Sequence, residues 1–156
     1  MPQESRRFSV HPLVEDRPLV LGGVTLDYPL GLAGHSDADV LLHALADALL
    51  GAAGLGDIGQ HFPPGDSKYR GISSLVLLAE VCQKIRDRGF ETNNVDAVVI
   101  AEKPRLASHF PAMRENIARV LQLSPEKINL KATTSEGLGF TGREEGIAAW
   151  AIVSLV

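Results

Sequence analysis

The chain has little cysteine, no long apolar run and no excess of positive charge, and each absence excludes a class of protein. Its one cysteine, Cys82, excludes an internal disulfide, and the helical pattern around it indicates a packing residue. No uninterrupted apolar stretch approaches the roughly 20 residues that span a bilayer. The net charge of −4 gives no sign of a nucleic-acid surface. Residues 1–7 are polar and unlike a secretory signal, so we expect bacterial cytoplasm, with plastid stroma as the second choice.

The hydrophobic content of 45% over 156 residues predicts one globular domain, residues 1–156, with neither a membrane nor nucleic acid as partner. Apolar periodicity predicts helices over 37–53, 73–88 and 110–121, and strands over 7–11, 19–26, 95–101, 128–134 and 146–156. Gly22 and Gly23 mark a bulge or a hairpin. This order indicates an α/β sandwich, in which a mixed antiparallel and parallel sheet of four to five strands carries helices on one face. Self-association is one way to cover the other face.

The densest group of chemically active residues is HSDADVLLH, which starts at His35 where a helix should begin. Ser36 is predicted to be the N-cap, with Asp39 completing a capping-box-like pair. Asp39, His43 and Asp47 are four apart and share one helix face, where His43 is a candidate metal ligand supported by carboxylates. His35 lies outside the cap, where free backbone N–H groups favour phosphate. The alternatives are a solvated helix face and a surface loop histidine.

Two further segments add candidates. His11, near a strand end, is a second candidate metal ligand, because imidazole is a common zinc donor; the alternative is an exposed histidine without function. Asp57 begins a loop with Ile58 and Gly59, and its carboxylate could accept from sugar or diol hydroxyls. The stretch 60–71 could act as a mobile cover. The alternative for this region is a Gly-rich turn.

The segment KATTSEGLGFTGR, residues 131–143, runs from a strand into a glycine-bearing loop. The hydroxyl groups of Thr133, Thr134 and Ser135 can donate to phosphate oxygens, and Arg143 can neutralise a phosphate. Glu136 among these groups would be odd unless a cation such as Mg²⁺ joins it to phosphates. The alternative is a strand end followed by a turn.

The segment AEKPRLA, residues 101–107, leaves a buried strand abruptly at Pro104. Backbone groups in such a turn could bind the edge of a base, and Lys103 or Arg105 could contact a phosphate. The alternative is a plain strand-to-helix connector, and the segment taken alone favours that alternative.

Three stretches stand out together: HSDADVLLHALADALLGAAGLGDIGQHFP, NVDAVVIAEKPRLASH and INLKATTSEGLGFTGREEGIAA. In order and spacing they resemble the 2-C-methyl-D-erythritol 2,4-cyclodiphosphate synthases of the non-mevalonate isoprenoid pathway. The resemblance implies a metal-dependent phosphorus–oxygen lyase that converts 4-diphosphocytidyl-2-C-methyl-D-erythritol 2-phosphate into the cyclic diphosphate and CMP. It also implies Zn²⁺ and Mg²⁺ or Mn²⁺ as cofactors, because two anionic phosphates must approach each other. A homotrimer with active sites between subunits is the implied assembly.

The resemblance also implies roles for individual residues. It places His11 and His43 on zinc, Glu136 on the second divalent ion, and His35 and Thr134 beside the reacting phosphates as catalytic residues. It implies substrate contacts in the first half of the chain by Ser9, His11, His35, Ser36, Asp57, Ile58, Gly59, Phe62, Pro63, Pro64, Gly65 and Asp66. In the second half it implies contacts by Ala101, Glu102, Lys103, Pro104, Arg105, Leu106, Ala107, Thr133, Thr134, Ser135, Glu136, Phe140 and Arg143.

One stretch departs from the family pattern, which normally opens Gly-x-Gly-x-Asp-x-His. The matching residues run from Ser5 to His11, and Ser9 stands where the acidic zinc ligand belongs. A serine hydroxyl is a poor zinc ligand beside a carboxylate. Asp39, Asp47 or a water could complete the coordination, or a substrate phosphate could do so.

The same departure leaves other functions open. A diverged relative could bind cytidine nucleotides without turnover or with weak activity. A metal-dependent phosphohydrolase on the same scaffold is a third possibility, and it would release inorganic phosphate instead of CMP.

Overall fold

The computed structural model describes all residues, 1–156. Its strands are β1 (Gln3–Val14), β2 (Leu19–Leu21), β3 (Val24–Leu26), β4 (Gly31–Leu32), β5 (Thr92–Ile100), β6 (Ile128–Thr133) and β7 (Gly146–Leu155). Its α-helices are α1 (Val40–Ala52), α2 (Ile58–His61), α3 (Ser74–Asp87), α4 (Phe110–Leu121) and α5 (Gly139–Gly142). Short 3₁₀ turns cover Ser67–Tyr69, Ala107–His109 and Pro125–Lys127. No helix combines the length and the apolar character needed to cross a bilayer.

Five strands form one mixed sheet in the order β4-β1-β7-β5-β6. β1 pairs antiparallel with β4 and β7, β5 pairs antiparallel with β7, and β6 runs parallel to β5. β2 and β3 form a separate hairpin through Gly22 and Gly23, both at positive φ, as the glycine pair predicts. The predicted mixed sheet of four to five strands in a sandwich with helices is therefore confirmed.

Helix α1 is the centre of the core. It lies against β1 and β7 on one side and against α3 on the other, so it is apolar around nearly its whole circumference. Leu41, Leu42, Leu45 and Leu49 are fully buried. A helix in this position leaves no solvent-facing side, and any polar residue on it must find partners inside the protein.

The structure also corrects the predicted start of α1. The helix begins at Val40, and its N-cap is Asp39, whose carboxylate accepts from the backbone N–H of Leu42. Ser36, the predicted cap, lies before the helix, and Ala38 between them has a φ of +59°. The polar stretch thus forms a turn whose side chains are free for other contacts.

Other boundaries moved in ways that follow from pairing. β1 is far longer than the predicted 7–11 because it pairs with β7 from Gln3 to Pro12, although its polar residues gave little strand signal. β4 and the short helices α2 and α5 were not predicted, since two to four residues carry no readable period. The helix predicted over 110–121 has those bounds, with Pro111 in its first turn.

The sheet face opposite α1 is open in the single chain. Phe8, Val10, Trp150 and Ile152 on this outer face are each 40–48% exposed. Phe8 and Trp150 are cross-strand partners whose ring centroids are 5.2 Å apart. A contiguous apolar patch on the middle strands of a sheet is typical of a protein-protein interface.

Candidate active site

Two histidine rings meet where β1 passes the first turn of α1. Nε2 of His11 lies 3.0 Å from Nδ1 of His43, and the ring centroids are 5.0 Å apart. Nδ1 of His11 lies 3.1 Å from the carbonyl oxygen of Ala33. A carbonyl oxygen only accepts, so Nδ1 carries the proton. Nε2 of the neutral His11 ring therefore presents a lone pair to His43.

The second ring nitrogen of His43 is held by two serine hydroxyls. Oγ of Ser36 and Oγ of Ser74 each lie 3.1 Å from Nε2 of His43. The Ser74 hydroxyl donates its proton to the carboxylate of Asp37, which also accepts the backbone N–H of Ser74. Since that proton is already given to Asp37, Ser74 Oγ accepts from Nε2–H of His43. Nδ1 of the neutral His43 ring then presents its lone pair to His11.

Two lone pairs that face each other at this distance need a proton or a cation between them. Burial and, to a smaller extent, the neighbouring His11 lower the pKa of His43 to about 4. Burial also lowers the pKa of His11, against the opposing effect of its hydrogen bond to Ala33. Both rings are therefore neutral at pH 7. Two nitrogen ligands of one tetrahedral zinc ion lie about 3.3 Å apart, so this donor pair fits zinc.

No third side chain completes the pair. The chain contains no group of three or more histidine, cysteine, aspartate or glutamate side chains arranged to hold a metal ion. Ser9 lies two residues before His11 on β1, so its side chain shares the same sheet face. Ser9 does not line the cavity in front of the two rings and would offer only a neutral hydroxyl as a ligand.

The two carboxylates expected beside His43 have other partners. Asp39 accepts three backbone N–H groups, two of them from the β2–β3 turn. Asp47 accepts the N–H of Ile58 at 2.7 Å and pairs with Arg7 at 2.9 Å. Asp39 is 0% and Asp47 8% exposed, so the prediction of a solvated helix face is wrong. The prediction that either carboxylate supports His43 or completes its metal site is wrong as well.

A cavity of about 240 Å³ opens in front of the two rings, and we call it the histidine cavity. It is lined by His11, His35, Ser36, His43, Ile58, Gly59, Phe62, Pro64, Tyr69 and Leu77. Most of the predicted site residues in the first half of the chain are among these. Asp57, Pro63, Gly65 and Asp66 belong to the same loop but do not line the cavity. Nε2 of His35 lies 2.8 Å from the carbonyl oxygen of Asp66, which joins the predicted covering loop to His35.

The backbone around His35 is held by a guanidinium group. Nη1 of Arg17 donates to the carbonyl oxygen of Gly34, and Nη2 donates to that of Ser36, each at 2.8 Å. Arg17 therefore grips the residues on either side of His35. Two parallel N–H donors at fixed spacing define the position of the peptide planes they hold.

A second cavity of about 280 Å³, which we call the threonine cavity, lies at the carboxyl ends of β5 and β6. It is lined by Ala101, Glu102, Pro104, Arg105, Leu106, Ala107, Ala132, Thr133 and Thr134. Thus the two separate sequence segments, 101–107 and 131–134, meet in one place because their strands are parallel neighbours. Lys103 lies beside this cavity and pairs with Glu144 at 3.6 Å.

The rest of the threonine-rich loop is held by its own contacts. The Ser135 hydroxyl donates to the carbonyl oxygen of Leu138, and Glu136 adopts a φ of +57°. Glu136 and Phe140 are exposed. Arg143, predicted to contact phosphate, forms a two-pronged ion pair with Glu145, with contacts of 2.8 and 3.2 Å. A phosphate would have to compete with that carboxylate for the guanidinium.

Some residues of the site escaped the sequence reasoning. Ser74, Tyr69 and Leu77 belong to the wall of the histidine cavity or to the support of His43, and Arg17 holds the His35 segment. Tyr69 lies within the predicted covering stretch 60–71, although it was not singled out, and Ser74 and Leu77 lie on the predicted helix over 73–88. Ser74, Leu77 and Arg17 reach the site by long-range packing that local patterns do not record.

Comparison with known proteins gives this geometry a context. The model of the YgbB family matches residues 6–156. The chain belongs to the YgbB family. It is 59% identical over 149 residues to the 2-C-methyl-D-erythritol 2,4-cyclodiphosphate synthase of Synechococcus elongatus, covering 96% of this chain and 93% of that one. It is 60% identical to the enzyme of the same name from Moorella thermoacetica, covering 96% and 91% of the two chains.

A solved structure agrees with these YgbB relatives. A 2-C-methyl-D-erythritol 2,4-cyclodiphosphate synthase in its CDP-bound form superposes with a TM-score of 0.90 at 37% identity. The match covers 99% of this chain and 100% of that one. The family expected from the three sequence segments is therefore confirmed.

Proposed function

We propose that this chain is a 2-C-methyl-D-erythritol 2,4-cyclodiphosphate synthase of isoprenoid precursor biosynthesis. Identities near 60% over almost the whole length of curated synthases carry the proposal. The substrate is 4-diphosphocytidyl-2-C-methyl-D-erythritol 2-phosphate. An oxygen of its 2-phosphate attacks the β-phosphorus, the bond from that phosphorus to the CMP oxygen breaks, and CMP leaves as the ring closes.

The two cavities suit the two ends of this substrate. The histidine cavity has apolar walls beside His35 and Ser36, which suits the methylerythritol part and its phosphates. The threonine cavity offers backbone groups of residues 101–107 to a base and the hydroxyls of Thr133 and Thr134 to a diphosphate. The CDP-bound form of a related synthase supports a nucleotide in this family.

His35 is the group proposed to stabilise the reacting phosphates. Arg17 fixes its backbone from both sides, so the imidazole is presented in a defined place before substrate arrives. The contact between its Nε2 and the Asp66 carbonyl oxygen joins the covering loop to the same imidazole. Thr134 is proposed to act from the other cavity.

His11 and His43 would hold zinc through Nε2 and Nδ1, with their other ring nitrogens fixed by Ala33 and Ser74. Glu136 would hold the second ion, Mg²⁺ or Mn²⁺. Bound there, the two cations would neutralise phosphate charge that otherwise opposes ring closure. Because Ser9 is neutral, a phosphate oxygen of the substrate is the negative donor best placed to complete the zinc site.

A homotrimer with shared sites is the assembly we propose. Val10, Ala148, Ile100 and Thr133 form one cross-strand row, so Thr133 lies three strand spacings, about 14 Å, from Val10. That row faces away from α1, whereas the next residue, His11, faces toward it. Thr133 and His11 of one chain are therefore on opposite faces of the sheet. One substrate would contact both sets of groups if the threonine cavity of a neighbouring subunit lay beside the histidine cavity.

The decisive experiment is incubation of the purified protein with the cyclisation substrate, Zn²⁺ and Mg²⁺. Phosphorus NMR should show the cyclic diphosphate and CMP in equal amounts, and chelation of the metals should stop their formation. CDP binding without turnover would instead indicate a non-catalytic nucleotide-binding relative. Release of inorganic phosphate would indicate a phosphohydrolase.

A further inference from the structure

We propose that Arg7 is a positioning residue of the histidine cavity, which it serves by fixing the turn at Ile58 and Gly59 through Asp47. The inference rests on the proposed function for its kinetic consequence. Its structural consequence can be measured without turnover. Arg7 belongs to the stretch that matches the family's opening pattern, at the place of its second glycine, and the pattern gives that position no contact with substrate or metal.

One carboxylate joins β1 to the cavity wall. Arg7 lies on β1, and its Nε donates to Oδ2 of Asp47 on α1 at 2.9 Å. The second oxygen of the same carboxylate, Oδ1, accepts the backbone N–H of Ile58 at 2.7 Å. Ile58 and the next residue, Gly59, line the histidine cavity. Two hydrogen bonds through the Asp47 carboxylate therefore link Arg7 to the cavity wall.

The Asp47 carboxylate holds the backbone N–H of Ile58, whereas the Ile58 carbonyl oxygen accepts the N–H of Phe62. Ile58 is the first residue of the four-residue helix α2, and its N–H has no backbone acceptor in a helix so short. The carboxylate of the cap residue, Asp57, accepts the backbone N–H of Gln60 instead. Gly56 just before the turn has a φ of +81°, a left-handed conformation that favours glycine. Asp47 is thus the acceptor that sets where Ile58 sits.

The positive charge of Arg7 helps to keep the Asp47 carboxylate ionised, and the ionised carboxylate holds the turn. Its side chain is 7% exposed, so ionisation there is opposed by the loss of water. Arg7, which is 53% exposed, supplies the compensating charge from the solvent side. A hydrogen bond from an N–H to an ionised carboxylate is roughly twice as strong as one to a neutral acceptor. Removing the guanidinium therefore weakens the bond to Ile58 without touching the turn itself.

The experiment compares Arg7→Ala and Arg7→Lys with Arg88→Ala, an exposed arginine at the end of α3. For Arg7→Ala we expect KM for the cyclisation substrate to rise about tenfold with kcat within about twofold, because the bond lost is a charge-assisted one. Arg7→Lys should recover much of the loss, since an ammonium group can still pair with Asp47. Arg88→Ala should leave both constants unchanged.

Amide hydrogen exchange on the same proteins shows whether Arg7 positions the turn at Ile58 or only fastens β1 to α1. Exchange over residues 57–62 should accelerate in Arg7→Ala, while exchange over α1 stays slow. If KM and the 57–62 exchange are unchanged and only the melting temperature falls, Arg7 merely fastens β1 to α1 and the inference is overturned. A wild-type protein without cyclisation activity would overturn the proposed function, yet the exchange comparison would still decide whether Arg7 holds the turn.

Discussion

The histidine cavity and the threonine cavity are built in opposite ways. The first rests on α1, the most buried helix, and its key ring is fixed by Ser36, Ser74 and Asp37 behind it. The second is a set of exposed strand ends and loops, whose threonines Thr133 and Thr134 face solvent. The histidine rings are oriented by partners within the same chain. The threonine hydroxyls face solvent.

This difference indicates where the chain can tolerate change. The rings of the histidine cavity are oriented by partners that a single subunit supplies, so their geometry survives without a neighbour. In the proposed trimer, a neighbouring subunit would supply the opposite wall of the threonine cavity. We therefore expect substitutions in the histidine cavity to abolish catalysis directly. Substitutions in the proposed interface should separate the two cavities while each subunit stays folded.

The largest effect should come from His43→Ala, which removes one of two converging nitrogen donors. The proposed zinc ion would contribute several kcal/mol to phosphate neutralisation, so kcat/KM should fall by about a thousandfold. Bound zinc, measured by atomic absorption, should fall with it. His109→Ala, at a histidine that lines neither cavity, serves as the control. Equal zinc content in both variants would contradict the assigned donor pair.

Breaking the interface should have the next largest effect. Trp150→Asp places a charge in the middle of the exposed apolar face, where its burial in an interface would cost several kcal/mol. Sedimentation should then show a monomer in place of a trimer, with kcat/KM reduced by about a hundredfold. Val76→Asp makes the same change on α3, at a residue exposed by 48% against 44% for Trp150. A monomeric Trp150→Asp protein with full activity would show that each chain holds a complete site.

Ser9→Asp should strengthen the histidine cavity. A carboxylate beside His11 adds an anionic donor, and zinc affinity should rise by at least about tenfold. Isothermal titration of the metal-free protein measures this directly. Ser9→Ala is the matched control and should bind zinc as the wild type does, since a neutral hydroxyl contributes little. An unchanged affinity in Ser9→Asp would argue against the alignment of Ser9 with the acidic ligand.

The smallest effect should follow Arg17→Ala. Loss of two hydrogen bonds beside His35 loosens the turn that presents it, and kcat should fall by about tenfold while zinc affinity is kept. Arg17→Lys, which cannot span both carbonyl groups, should restore only part of the rate. A variant that lost zinc as well would show that Arg17 acts on the whole cavity instead of on His35.

Much of this architecture was accessible from local patterns. The long apolar period of α1 predicted a helix at His43, and the parallel strands at Ala101 and Thr133 had clear buried patterns. What could not be predicted depends on distant partners. Asp39 is held by the β2–β3 hairpin, and Asp47 is held by Arg7 on β1 and by Ile58 at the start of α2. The spacing of the residues around each carboxylate does not record these partners.

The same limit applies to β1 and to the support of His43. Gln3–Val14 contains too many polar residues to be recognised as a long strand, and only its pairing with β7 makes it one. Ser74 reaches His43 across 31 residues of sequence. Spacing arguments favoured the carboxylates one turn away on the same helix because they are the nearest candidates along the chain, yet hydroxyl groups from elsewhere hold the ring.

The burial of α1 has a consequence for how activity would be lost on heating. His43 cannot leave its place by fraying, since the helix that carries it opens only when the whole core does. Loss of activity by displacement of His43 should therefore coincide with global unfolding. Proteases should not cleave next to His43 before that temperature is reached. The exposed strand ends that carry the threonines have no such protection, so binding of nucleotide should fade first.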